Sequence, residues 1–187
     1  MCGFAGILMP GGGEPDPPLL QRMGSVLVHR GPDDGGLFRS RGIGLVHRRL
    51  SVIDLSAQGR QPMSNEDGSV WIAYNGEIYN HLDLRRSAGL DGRGHAFRSR
   101  TDTEVLVHLY EEMGEDMLPL LDGMFSMALW DGGTGRLLLA RDRFGIKPLF
   151  YCLHRGRLAF ASEIKSLLEL DGFSREPDPE ALYHYLS

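Results

Sequence analysis

Short apolar runs separated by glycine-containing turns constrain the fold of this chain more than any other feature of its sequence. They predict strands at 2–9, 42–50, 70–75, 124–130, 136–141, 149–153 and 158–161. Apolar periodicity predicts helices at 17–29, 101–113, 162–170 and 179–185. Strands and helices thus occur in blocks and not as regular βαβ repeats, which predicts an α+β layered fold rather than a doubly wound sheet.

Two of the predicted helices have recognisable ends. Asp16 before Pro17 is typical of an N-cap followed by a proline in the first turn. Thr101 and Glu104 have the spacing of a capping box, and a glycine follows the last periodic residue of that helix. Asp102 is therefore placed in a first helical turn, where a carboxylate stabilises the helix dipole and can also anchor a substrate ammonium group.

Composition and charge argue against several classes of function. With 187 residues and 42% hydrophobic content, the chain can bury one sizeable core. The formal net charge of −5 and the scattered arginines argue against a nucleic-acid-binding surface. No stretch approaches the roughly 20 apolar residues of a membrane helix, and no signal peptide is recognisable. We therefore expect a cytoplasmic protein that binds neither nucleic acid nor a membrane.

The cysteines and histidines suggest no metal site and no disulfide framework. The two cysteines, Cys2 and Cys152, form no CxxC pair, and the seven histidines lack metal-ligand spacing. Cys152 lies in an apolar run and is interpreted as a buried structural thiol. Cys2 would hold both a thiol and a free α-amine once Met1 is removed, and an amine pKa of about 7.7–8.0 suits a general base. Its position alone still favours an incidental cysteine.

Four further segments carry notable polar residues, and two of them suit amide chemistry. Asn75 and Gly76 could supply a side-chain amide and a backbone N–H to an oxyanion, although Asn-Gly taken alone favours a hairpin turn. Arg49, at a strand end, could form a carboxylate clamp, although taken alone a surface salt bridge is favoured. The segment His29–Asp33 suggests a network that supports a site, and Arg141–Pro148 suggests a structural turn with internal charge pairs.

Taken together and in chain order, five segments resemble the glutamine-hydrolysing N-terminal domain of asparagine synthetases. They are Cys2–Ile7, His29–Asp33, Arg49–Ser51, Asn75–Asn80 and Asp142–Gly145. The resemblance covers residues 2–170 and implies a four-layer αββα sandwich of the N-terminal-nucleophile hydrolase type. It implies a glutaminase domain over 1–172 and the start of a connection to a synthetase domain over 173–187.

The resemblance also implies a role for each matching residue. Cys2 would be the nucleophile, with its amine as base and with Asn75 and Gly76 as the oxyanion hole. Arg49 would bind the carboxylate of L-glutamine and Asp102 its α-amine, while the pocket lining would comprise Glu77, Leu50 and Val52. The residues preceding Asp102 depart mildly from the family pattern. The implied reaction yields L-glutamate and ammonia through a γ-glutamyl thioester.

The same resemblance suggests which partners and cofactors to expect. The sequence contains no Ser-Gly-Gly-Leu-Asp-type ATP loop, so ATP and Mg²⁺ are expected only in a synthetase domain outside this chain, and no cofactor or metal is expected in this domain. A homodimer is compatible with the resemblance. Three alternatives stay open: a hydrolase acting on another amide, a non-catalytic regulatory or interaction module, and amidation of an acceptor other than aspartate.

Overall fold

A computed structural model describes residues 1–186, in which nine strands form two antiparallel sheets. The strands are β1 (Gly3–Leu8), β2 (Asp34–Ser40), β3 (Ile43–Arg49), β4 (Met63–Ser64), β5 (Val70–Ile78), β6 (Gly123–Asp131), β7 (Arg136–Arg141), β8 (Phe150–His154) and β9 (Arg157–Ala161). One sheet has the order β2-β3-β1-β9-β8 and the other the order β4-β5-β6-β7.

Helices cover the outer face of each sheet. They are α1 (Pro17–Ser25), α2 (His81–Ser87), α3 (Asp102–Met113), α4 (Ile164–Leu167) and α5 (Pro179–Leu186). Helices α1 and α4 pack on the five-stranded sheet and α3 packs on the four-stranded sheet, whereas α5 buries none of its residues. The order of layers is therefore helix, sheet, sheet, helix, which confirms the predicted αββα sandwich.

Three apolar clusters fill the three interfaces between these layers. One lies between α1 and its sheet, a second lies between α3 and its sheet, and the third joins the two sheets. Strand β1 shows how the sequence produces this arrangement, because Ala5 and Ile7 contribute to the α1 cluster while Phe4 contributes to the cluster between the sheets. A strand that is covered on both faces reads as a continuous apolar run and not as an alternating one.

Several predicted elements differ from those observed. Strands β2 and β4 and helix α2 were not predicted, α1 ends at Ser25 rather than at residue 29, and α4 spans only Ile164–Leu167 of the predicted 162–170. The hairpin interpretation of Asn75-Gly76 is wrong, because both residues lie inside β5 and pair with β6. Strand β5 therefore continues to Ile78, and these residues form a strand edge instead of a turn.

At the start of α3, the hydrogen bond of the N-cap Thr101 is as predicted, but the hydrogen bonds of the Glu104 side chain are not. The Thr101 hydroxyl accepts the Glu104 N–H, as in a capping box. The Glu104 carboxylate, however, accepts the backbone N–H groups of Arg98 and Ser99 and not that of Thr101. The helix ends at Gly114, whose φ of 58° belongs to the region that glycine tolerates best. No helix among residues 1–186 is long and apolar enough to cross a membrane.

Candidate active site

All eight predicted site residues line one cavity of about 200 Å³, where the start of β1 approaches β5 and α3. Cys2 precedes β1, Arg49 ends β3, and Asp102 begins α3. The others are Leu50, Val52, Asn75, Gly76 and Glu77. The topology thus brings together residues from the two sheets, a helix and a loop.

The thiol of Cys2 is half-buried against the backbone of Leu50. Its Sγ accepts the Leu50 N–H at 3.4 Å and lies 3.6 Å from the Leu50 carbonyl oxygen. Burial raises the pKa of the Cys2 thiol, and the Leu50 N–H only partly offsets that effect. The thiol is therefore protonated at neutral pH and needs a base before it can act as a nucleophile.

The main chain of Cys2 is fixed by an arginine from the segment that follows α1. Arg30 donates Nε–H to the Cys2 carbonyl oxygen at 2.9 Å and Nη1–H to Glu163 at 2.7 Å. His29 contacts the same carboxylate at 2.9 Å. Burial opposes ionisation of Glu163, but hydrogen bonds from Arg30, Lys165 and His29 lower its pKa to about 2. The His29–Asp33 segment thus lies beneath Cys2, in the supporting position predicted from the sequence.

Asn75 presents a free hydrogen-bond donor to the face between the sheets. Its neighbour Ala73, two residues earlier on the same face of β5, belongs to the apolar cluster that joins the sheets. The Asn75 side chain is buried, and within residues 1–186 its Nδ2 has no hydrogen-bond partner. A buried unpaired donor costs about 1–3 kcal/mol, so a site that retains one is suited to an acceptor that arrives from outside.

The backbone N–H of Gly76 also points toward the cavity. Gly76 lies opposite Phe125 of β6, and the N–H and C=O groups of Phe125 both bond to Asp142 on the other side of β6. Gly76 and Phe125 are therefore a non-hydrogen-bonded pair, and the Gly76 N–H points away from β6. The N–H groups of Tyr74 and Ile78 point the same way and reach Gln61 and Asp102. The Gly76 N–H between them has no partner within residues 1–186. A Cβ at Gly76 would collide with the Met124 carbonyl, which explains the glycine.

Asp102 is buried and already holds three hydrogen bonds. One carboxylate oxygen accepts the Tyr74 hydroxyl at 2.8 Å and the Ile78 N–H at 2.9 Å, and the other accepts the Thr103 N–H at 3.0 Å. Burial and the Asp102 charge raise the pKa of Tyr74 well above its usual range, so the phenol remains a donor. A carboxylate accepts about four hydrogen bonds, so one position is left for a substrate cation.

Arg49 ties the loop over the cavity to the end of β3. Its guanidinium donates to the carbonyl oxygens of Ser56, at 2.8 Å, and Asp54. It also packs on Gly59, where a Cβ would overlap it. Two of the five guanidinium N–H groups are thus engaged by the loop, and three remain for a substrate carboxylate. Val52, in the same loop, is 73% exposed at the rim.

Four residues near the site were not predicted from the sequence. Tyr74 and Gln61 hold the edge of β5, and the buried His47 donates to the Tyr74 carbonyl at 2.9 Å. Burial lowers the pKa of His47 to about 4, so it is a neutral support. The fourth is Lys147, which is buried at the cavity wall with its Nζ 3.0 Å from the Met1 sulfur. No spacing in the sequence identifies these residues.

Two further interpretations of the sequence need correction. Arg141–Pro148 forms a turn, but its expected charge pairs are absent among residues 1–186. The Asp142 carboxylate instead accepts the backbone N–H groups of Phe125, Phe144, Ile146 and Lys147. Both neighbouring arginines donate to backbone carbonyls. Cys152, expected to be buried, is only half-buried on β8.

The fold matches two solved structures. A glutamine phosphoribosylpyrophosphate amidotransferase from B. subtilis has a TM-score of 0.71 with 22% identity, over 89% of this chain and 43% of that one. A structure described as the allosteric regulatory enzyme of purine biosynthesis matches equally well, over 90% of this chain. At this identity the likeness establishes the fold alone, the four-layer αββα sandwich.

The sequence comparisons establish the family. The glutamine amidotransferase domain family matches residues 1–187, and the chain belongs to it. Two asparagine synthetases (glutamine-hydrolysing) of Bacillus subtilis are 46% and 42% identical over 89% and 100% of this chain. A related protein of Methanocaldococcus jannaschii is 34% identical. The chain spans 22%, 29% and 36% of the length of these relatives. It is thus a glutamine amidotransferase domain, and the predicted family is confirmed.

Proposed function

We propose that this domain hydrolyses L-glutamine to L-glutamate and ammonia, with Cys2 as the nucleophile. The observation that carries the proposal is a pair of donors, Asn75 Nδ2 and the Gly76 N–H, that have no partner within residues 1–186 and lie in the cavity that also holds the Cys2 thiol. Attack on an amide carbonyl produces negative charge on oxygen, and fixed donors that are free before the reaction stabilise it most effectively.

The remaining polar residues of the cavity suit the amino-acid head group of glutamine. The three free N–H groups of Arg49 match a carboxylate, and the remaining acceptor position of Asp102 matches an α-ammonium group. A simple amide would leave both residues without a ligand. The site therefore favours glutamine over other amides, which argues against a general amide hydrolase.

The chemistry needs no group from outside the domain except water. After removal of Met1, the α-amine of Cys2 takes the thiol proton, and Sγ attacks the side-chain amide carbon of glutamine. The carbonyl electron pair moves to oxygen, where Asn75 and Gly76 stabilise it. Collapse of this intermediate breaks the C–N bond, and the amine returns its proton to the departing ammonia. Water then hydrolyses the thioester, again with the amine as base, releasing glutamate and regenerating the thiol. No metal or organic cofactor takes part.

The test uses purified chain whose N-terminus is defined by mass spectrometry. Chain lacking Met1 should release ammonia from glutamine, and Cys2→Ala should lower the rate to background. The matched control is Cys152→Ala, which removes the chain's other thiol from a strand remote from the cavity and should leave the rate unchanged. Chain that retains Met1 should be inactive, because its Cys2 nitrogen is an amide and cannot act as a base.

Either of two results would count against this assignment. Wild-type activity in Cys2→Ala would require another nucleophile. Full activity in a chain that retains Met1 would rule out the α-amine as base. If correctly processed chain bound glutamine without turning it over, the interpretation as a regulatory or interaction module would be favoured instead.

We further propose that residues 1–172 form the glutaminase domain and that 173–187 lead into a synthetase domain of a longer polypeptide. The lengths of the B. subtilis relatives and the exposed helix α5 support this division. Such a domain would use ATP and Mg²⁺ to amidate aspartate, and a homodimer and a cytoplasmic location, where Cys2 stays reduced, fit the same proposal. The longer polypeptide should form asparagine from aspartate, ATP and glutamine, and formation of a different amide would identify another acceptor.

A further inference from the structure

A second cluster of polar side chains lies on the far part of α3, two turns beyond Asp102. It contains Glu66 from the turn between β4 and β5, His95 from the segment before α3, and His108 and Glu111 from α3 itself. One donor atom from each residue lies within 4.8 Å of all the others. None of these residues lines the glutaminase cavity.

Three of the distances between these donor atoms are close to those of a metal coordination shell. His108 Nδ1 lies 2.8 Å from Glu111 Oε2 and 3.9 Å from Glu66 Oε2, and His95 Nδ1 lies 3.6 Å from Glu111 Oε2. Ligands about 2.0–2.1 Å from a tetrahedral zinc ion are separated from each other by roughly 3.3 Å. The observed distances bracket that value, so small side-chain movements would complete the shell.

Hydrogen bonds to three of the four residues orient their donor atoms. His95 directs Nδ1 into the cluster while its Nε2 contacts Glu112 at 3.0 Å, as in the carboxylate–histidine–metal arrangement of many zinc sites. The other carboxylate oxygen of Glu111 accepts from Asn65 Nδ2 at 2.8 Å, and that of Glu66 accepts the Ala96 N–H at 2.5 Å.

In the part of the chain that the structure describes, the carboxylates of the cluster have no lysine or arginine partner. Within residues 1–186, neither Glu66 nor Glu111, both of which are exposed, forms a salt bridge with a lysine or arginine. Their close contacts are to the two imidazoles, and the buried His108 has an Nε2 without a hydrogen-bond partner in the same residues. A divalent cation between the four residues would neutralise both carboxylates.

We propose that Glu66, His95, His108 and Glu111 form a structural site for a divalent transition-metal ion of the zinc type. Two imidazoles and two carboxylates favour zinc, cobalt or nickel over magnesium or calcium, which prefer oxygen ligands alone. The bound ion would join α3 to the β4–β5 turn and to the segment before the helix. It would thereby brace the helix whose first residue is Asp102. The proposal does not depend on the glutaminase assignment.

The test measures Zn²⁺ binding to the full chain without an affinity tag. A Cys2→Ala/Cys152→Ala background removes both thiols, because Cys2 could itself bind zinc. Calorimetry should detect one Zn²⁺ per chain, and Zn²⁺ should raise the melting temperature. Mg²⁺ at the same concentration should have neither effect. Co²⁺ in the same site should show the visible absorption of a tetrahedral complex.

Variants distinguish the proposed site from adventitious binding. His108→Gln/Glu111→Gln should lose stoichiometric binding, while Glu180→Gln/His184→Gln on the exposed helix α5 makes the same two changes and should keep it. Glu112→Gln removes the carboxylate that contacts His95 and also pairs with Arg93, and it should weaken binding about 10- to 100-fold. If the double variant does not fold, His95→Gln, at a less buried position, tests the loss of a ligand instead. Absence of Zn²⁺ binding, or binding unchanged in His95→Gln, would overturn the proposal.

Discussion

The two ends of the glutaminase cavity differ in how their polar groups are satisfied before any substrate binds. At the reacting end, Asn75 Nδ2 and the Gly76 N–H have no partner within residues 1–186, and the Cys2 thiol has a raised pKa. At the recognition end, Asp102 holds three hydrogen bonds and Arg49 holds two loop carbonyls.

This difference matches the role that we propose for each end. Donors that stabilise a transition state act best when they are fixed and free, because no partner has to be displaced during the reaction. Groups that bind a charged head group need firm orientation, and hydrogen bonds from the scaffold provide it without using all of their capacity. Substitutions at the reacting end should therefore act mainly on kcat, and those at the recognition end mainly on KM.

The largest effect should come from removal of one free donor. Asn75→Ala deletes a buried amide whose Nδ2 has no partner within residues 1–186, so the fold should tolerate it while kcat for glutamine hydrolysis falls about 10²- to 10³-fold. KM should change by only a few-fold. Steady-state ammonia release measures both constants, with Met1 removal verified by mass.

A matched control for Asn75→Ala lies in the same segment. Asn80 bonds to the backbone of Leu120 and Asp122, outside the cavity. Asn80→Ala should cost some stability and leave kcat nearly unchanged. An equal loss of kcat in both variants would mean that the segment acts through general structure and that the free donor has no special role.

An intermediate effect is expected at the recognition end. Asp102→Asn removes the charge proposed to bind the α-ammonium group, and a hydrogen bond to a charged group contributes about 1.5–3 kcal/mol. KM for glutamine should rise roughly ten- to a hundredfold, with a smaller change in kcat. Circular dichroism and thermal unfolding should verify that α3, which begins at residue 102, remains folded.

A truncated substrate separates charge recognition from structural damage. Glutamine without its α-amino group cannot use Asp102, so wild-type enzyme should lose about as much efficiency with it as Asp102→Asn loses with glutamine. Asp102→Asn should lose little further efficiency when glutamine is replaced by the substrate without the α-amino group. Full additivity of the two losses would show that Asp102 does not bind the amine.

Sequence patterns predicted the parts of this molecule that depend on continuous apolar runs. Strands β1, β3 and β6 were recognised because each is buried on both faces or nearly so. Strand β2 was missed because it begins with Asp34-Gly35-Gly36 and is only partly buried, so neither composition nor periodicity marks it. Taken alone, the Asn75-Gly76 pair is typical of a hairpin turn. In the structure, however, glycine is required at position 76 because the neighbouring strand leaves no room for a Cβ, and not because the chain bends there.

The site was predictable only where a short motif matched a family. The residues that position those motifs come from elsewhere in the chain: Arg30 reaches Cys2 from beyond α1, and Tyr74 joins Asp102 across the α3 interface. The proposed metal site shows the same limit more strongly. Its four ligands lie in three segments, so the seven histidines showed no ligand spacing along the sequence.

The smallest effect should come from the residues that support Cys2. Glu163→Gln weakens the anchor of Arg30, which holds the Cys2 carbonyl, and should lower kcat several-fold with little change in KM. It should also destabilise the fold by roughly 1–2 kcal/mol at neutral pH. Glu169→Gln, which removes a partner of Arg22 only, is the matched control and should leave kcat unchanged.

The pH dependence of stability tests the contribution of Glu163 most directly. The pKa of Glu163 is about 2 in the folded chain against an ordinary 4.5, so its stabilising contribution is complete above pH 4.5 and is lost as the pH falls toward 2. The difference in free energy of unfolding between wild type and Glu163→Gln should therefore shrink over that interval, as measured by urea unfolding at several pH values. A constant difference would mean that the ion pairs of Glu163 do not stabilise the fold. In that case Arg30 would hold Cys2 in place without this carboxylate, and the reacting end would depend on fewer contacts than its geometry indicates.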